Sequence, residues 1–109
     1  MAKKEIDAQM RYLYEGILSL KTVEECSRFF EDICTVVEII EMSKRLTVAK
    51  MLADNTTYTD IMERTGLSTA TISRVNRCLK YGSDGYAVVL ERLDAAGADP
   101  FAEEEGKNE

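Results

Sequence analysis

The sequence predicts an all-α fold of six helices, with a helix-turn-helix in its C-terminal half. Three observations carry this. Proline occurs once, at Pro100, so nothing before it forbids helix. β-Branched residues show no sustained alternation, whereas apolar residues recur in steps of three and four. Between Tyr58 and Lys80, YTDIMERTGLSTATISRVNRCLK, two short periodic runs are broken by Gly66.

The first helix is expected from about Lys4 to Leu20, with Ile6, Met10, Leu13, Ile17 and Leu20 on one face. Thr22 and Glu25 form a capping box that starts a second helix at Val23, running to about Cys34 with Cys26, Phe29, Phe30 and Ile33 inward. Thr35 and Glu38 repeat the box before a third helix, Val36 to Ala53. Its start, with Val36, Val37, Ile39 and Ile40, is apolar nearly all round and has to be covered on all sides. A second copy of the chain is the expected cover, so a homodimer is predicted. Asp54 and Asn55 end this helix.

The fourth and fifth helices are expected over Tyr58–Thr65 and from Ser68 to about Lys80. Gly66 supplies a backbone conformation that other residues avoid. Ile61, Leu67, Ile72 and Val75 are spaced to clamp these two helices together. Tyr81-Gly82 closes the fifth helix, and Ser83 or Asp84 can start a sixth carrying Tyr86, Val89, Leu90 and Leu93. Residues 1–95 are read as one domain. Residues 96–109, AGADPFAEEEGKNE, are acidic and rich in helix breakers, and are read as a disordered tail.

Composition narrows the function. The chain has no histidine, no phosphate-cradling glycine loop and no nucleophile–base pair, so an enzyme is not expected. Cys26, Cys34 and Cys78 form no CxxC pair. They are read as small buried hydrophobes, with no metal site or cofactor expected. No run approaches the roughly 18 apolar residues of a membrane span, and no signal peptide is seen, so the expected location is the cytoplasm.

The net charge of −6 is unevenly spread. Residues 91–109 carry seven acids and two bases, whereas Gly66 to Gly82 contains no acid and holds Arg74, Arg77 and Lys80. At 100° per residue, Ile72, Val75 and Leu79 share the core side of the fifth helix. Ala70, Ser73, Arg74 and Arg77 lie opposite, Thr69 and Lys80 on one flank, Thr71 and Cys78 on the other. Small residues let such a helix approach base edges, and arginines bond phosphate or guanine. Ser68 is a suitable N-cap, and the helix start adds amide donors for phosphate. Double-stranded DNA is therefore the expected partner. Two other readings compete: a solvated basic face without function, and a protein-interaction module favoured by the excess of acids.

The string TGLSTATISRVNRCL resembles the reading helix of the Trp repressor family, and Arg45 to Gly82 resembles its YerC/YecD-type group. The most specific part is Ala70-Thr71-Ile72-Ser73-Arg74. The resemblance implies a six-helix fold, N-terminal helices interlocked into an intertwined dimer, and a DNA-binding transcriptional repressor. The two reading helices would face successive major grooves. It also implies a small-molecule effector pocket at Lys44, Thr71, Arg74, Val75 and Cys78. The family has glycine at the place of Val75, and a valine there is expected to fill the space of a tryptophan ring. Thr59 stands where the family places a guanine-reading arginine, so it offers a hydroxyl and a different operator is expected.

Overall fold

The computed structural model describes residues 5–102. Six helices follow one another, α1 (Ala8–Leu18), α2 (Val23–Ile33), α3 (Val36–Ala53), α4 (Tyr58–Thr65), α5 (Thr69–Tyr81) and α6 (Gly85–Ala95), with no strand among the described residues. The all-α, six-helix class is as the sequence predicts.

Side-chain caps set most helix starts. The Asp7 carboxylate accepts from the Met10 N–H at 2.7 Å, which starts α1 later than Lys4. One capping box closes fully and the other only in part. Thr35 Oγ1 accepts from the Glu38 N–H at 3.1 Å, while Glu38 Oε1 accepts from the Thr35 N–H at 2.8 Å. In the other, Thr22 Oγ1 takes the Glu25 N–H, but Glu25 reaches one residue further back, to the Lys21 N–H. Each such cap is worth about 1 kcal/mol. Asp84 breaks the pattern: it precedes α6 at φ 65° with no side-chain cap bond.

The chain divides into two units, residues 1–39 and 40–109, where the sequence reading expects one domain over 1–95. Neither α1 nor α2 contains a fully buried residue. An amphipathic helix with nothing buried has no core of its own to join. Leu18, Val23, Val36 and Val37 are among the most exposed large apolar residues.

The second unit has a core. Val48, Ala49 and Met51 of α3 meet Ile61 of α4, Ile72 and Val75 of α5 and Leu90 of α6, all buried. Burial of each larger aliphatic side chain is worth roughly 1.5–3 kcal/mol. The expected inward set of α6 is only partly inward: Leu90 is buried and Tyr86 half-buried, whereas Val89 is exposed. Lys50 bridges α3 to α6 through Asp94 at 2.9 Å and also holds Asp54 at 3.1 Å.

Two expectations need correction. The cysteines are not buried: Cys26 and Cys34 are half-buried and Cys78 is exposed. The tail does not begin at residue 96, because Phe101 is half-buried against the core of the second unit. Residues 103–109, the rest of the expected tail, lie outside the described residues.

Candidate nucleic-acid interface

Local chemistry builds the turn between α4 and α5. Gly66 closes α4 at φ 73°, in the left-handed region, and its N–H donates to the Met62 carbonyl at 2.8 Å. Thr65 Oγ1 donates to the Ile61 carbonyl at 2.7 Å and accepts the Leu67 N–H at 3.2 Å, bridging the break. Ser68 then caps α5 through the Thr71 N–H at 3.3 Å. Asn76 donates to the Tyr58 hydroxyl at 3.3 Å, tying the middle of α5 to the start of α4.

This packing sorts the faces of α5 as helical geometry requires. Ile72 and Val75 are 0% and 3% exposed, and Leu79 packs half-buried against the core. Ser68, Thr69, Ala70, Ser73, Arg74, Arg77 and Lys80 are all exposed. They form a continuous surface on α5 and its cap, free of acids. Thr59 is also exposed, but it stands on the other helix, in the first turn of α4. Ser68 has less to offer a partner than the sequence suggests, since its hydroxyl also engages that of Thr71 at 3.2 Å.

Beside this face lies a cleft of about 240 Å³, lined by Glu41, Arg45, Thr71, Arg74, Val75, Cys78 and Tyr86. It brings together guanidinium groups, a carboxylate, hydroxyls and a thiol. Among the described residues no cluster of His, Cys, Asp and Glu could hold a metal ion. The Tyr86 hydroxyl titrates above its ordinary range, mainly because burial disfavours the phenolate. The negative charge of a Cys78 thiolate adds to this, and Arg45 pulls the other way.

Lys50 is raised as well, by its hydrogen bonds to Asp94 and then Asp54. Both groups hold their protons to higher pH when folded than when unfolded. Their contribution is complete below the unfolded values near about pH 10 and is lost as pH rises through the folded ones. Stability should therefore fall as pH rises above about 10. Denaturant midpoints should show a smaller fall in Tyr86→Phe than in the parent chain. A fall in both Tyr86→Phe and Lys50→Gln as large as in the parent chain would place the loss on other groups.

A family model described as Trp repressor protein matches residues 8–94, which span α1 to α5 and nearly all of α6. The chain belongs to the Trp repressor family. It is 53% identical over 90 residues to YerC of Bacillus subtilis (strain 168), described as uncharacterized, with 83% of each chain covered. A TrpR-like protein from Eubacterium eligens ATCC 27750 has a crystal structure matching this fold with a TM-score of 0.78 and 56% identity. That match covers 81% of this chain and 91% of that one. A candidate Trp repressor from Staphylococcus aureus matches with the same TM-score at 48% identity, over 81% and 88% of the two chains. The Trp repressor family is one of regulatory DNA-binding proteins rather than enzymes. Among the described residues, no helix is long and apolar enough to cross a membrane.

The Trp repressor resemblance implies an effector pocket, and four of the five residues it names meet in this cleft. Thr71, Arg74, Val75 and Cys78 line the cleft, α3 contributes Glu41 and Arg45, and Lys44 is not among its lining residues. Neighbours on a helix point about 100° apart, so Lys44 and Arg45 face different ways. Arg45 stands one turn after Glu41, another lining residue. Glu41 and Tyr86 were missed from sequence. Glu41 has a signal, its i,i+4 relation to Arg45; Tyr86, far along the chain, has none.

Proposed function

We propose that the chain is a sequence-specific, double-stranded-DNA-binding transcriptional regulator, acting as a homodimer and most simply as a repressor. The observation that carries this is the exposed, acid-free face of α5, where Arg74, Arg77 and Lys80 flank Ala70 and Ser73. Arginine in a major groove bonds guanine or phosphate, and small neighbours permit the close approach this needs. Thr69 and Ser68 lie at the helix start, where amide donors suit a phosphate oxygen. A homodimer is supported by the apolar surface that α1, α2 and the start of α3 leave exposed, including Tyr12, Leu18, Val23 and Val37.

Tryptophan is not the effector in this reading. Val75 belongs to the packed core at the wall of the cleft, and about 240 Å³ falls below the usual range of about 300–1,000 Å³ for ligand pockets. Arg45, Arg74 and Glu41 make the cleft polar, so any effector held there would be small and charged. The expected cellular site is the cytoplasm.

Arg77→Ala should weaken DNA binding and reduce the steepness of its salt dependence by about one unit in log K against log salt. Unchanged affinity across the salt titration would remove Arg77 from the interface. A genomic footprint should yield an enriched, near-palindromic motif matching a two-fold protein. No enriched motif, together with partners retained after nuclease treatment, would instead favour the protein-interaction module.

A further inference from the structure

Past α6 the chain turns back on the second unit. Gly97 adopts φ 74°, and the Ala98 N–H donates to the Leu93 carbonyl at 3.0 Å, which reverses the chain direction. Asp99 Oδ1 then accepts the Phe101 N–H at 2.9 Å, and the Ala102 N–H donates to the Asp99 carbonyl at 3.2 Å. These bonds, with Pro100 between them, aim one ring inward. Phe101 packs against the core shared by α3, α4, α5 and α6. The Arg64 guanidinium, in the last turn of α4, lies over the ring at 3.7 Å from its centroid. The Lys50–Asp94 pair holds the end of α6 to α3 beside this strap. Residues 96–102 lie outside the 8–94 matched by the family model.

We propose that residues 96–102 are a brace on the first helix of the helix-turn-helix, with Phe101 as its positioning residue. α4 needs one. It has eight residues, and Ile61 alone among them is fully buried. A helix that short has little stability of its own. Its start is held by the Thr57 cap and the Asn76–Tyr58 bond, and its Arg64 end meets the Phe101 ring. By limiting how often α4 opens, the brace fixes the angle from which α5 is presented. Only this last consequence, for DNA, rests on the function proposed above.

The test compares the full chain with Phe101→Ala, Phe101→Leu and Phe101→Tyr, at a temperature where circular dichroism finds all of them folded. Amide hydrogen exchange needs no DNA. Phe101→Ala should speed exchange at the α4 amides about tenfold while leaving α2 unchanged, Phe101→Leu should fall between, and Phe101→Tyr should restore the parent rate. Unchanged α4 exchange in Phe101→Ala overturns the brace, whether or not the protein binds DNA. Affinity for a footprinted operator should drop in Phe101→Ala with an unaltered salt slope, because no phosphate contact is removed. Faster α4 exchange with unchanged or tighter DNA binding overturns the positioning role, the tighter case meaning that the strap obstructs DNA. If the parent chain itself binds no DNA, the regulator reading fails while exchange still decides the brace.

Discussion

Ile72→Ala is expected to cost the fold about 2–5 kcal/mol, the range seen when a buried isoleucine is cut to alanine. Ile72 is 0% exposed and belongs to a cluster joining α3, α4, α5 and α6. The substitution removes apolar contacts on every side and leaves a cavity that short, mutually packed helices fill only in part. Alanine's better helix propensity returns only a few tenths of a kcal/mol, so the cavity decides the sign. Urea unfolding at one fixed protein concentration should show a lower midpoint and an unchanged slope. Ser73→Ala provides the contrast. It is the next residue on the same helix but exposed, and should move stability by no more than about 0.5 kcal/mol. Equal losses at the two positions would mean that α5 is not seated on its Ile72 side.

That contrast rests on what was legible in the sequence. The faces of α5 follow from 100° per residue, and Ile72, Val75 and the exposed arginines fell where the arithmetic put them. Helix starts at Val23 and Val36 were equally readable, because Thr22 and Thr35 are caps whose partners lie within a few residues. Local rules stop working where a feature depends on residues far apart. The cleft recruits Arg45 and Tyr86 from two other helices, and Lys44, which the family resemblance implies, is not among its lining residues. The strap was misread for a related reason. Its composition is that of a solvated tail, and one aromatic ring, Phe101, reverses the outcome by finding Arg64 some 37 positions earlier. Composition averages over a segment, whereas packing responds to a single side chain.

Gly82→Ala should be nearly as damaging as the core substitution, through a different mechanism. Gly82 follows α5 at φ −84° and ψ −149°, and its N–H donates to the Cys78 carbonyl at 2.9 Å. The sequence suggests a glycine cap, and the role is real, but positive φ is not the reason. A Cβ built on Gly82 would stand 2.3 Å from the oxygen of that same carbonyl. The obstructing atom is backbone in the last turn of a helix, so no side chain can swing aside. Either the Gly82–Cys78 hydrogen bond breaks or the turn into α6 shifts, carrying Tyr86 and the cleft wall with it. A loss of about 2–4 kcal/mol is expected, as for other steric conflicts at a tight backbone approach. Two other glycines calibrate it. Gly66 has open space for a Cβ but sits at φ 73°, so Gly66→Ala should cost only the left-handed penalty of about 1–2 kcal/mol. Gly85, at the start of α6, has neither problem, and Gly85→Ala should be neutral or stabilising by up to about 1 kcal/mol. Thermal unfolding of the three variants should order them Gly82, Gly66, Gly85 from most to least damaging. Gly82→Ala falling beside Gly85→Ala would show that the end of α5 can rearrange without consequence, and that the α5–α6 junction does not hold α5 in place.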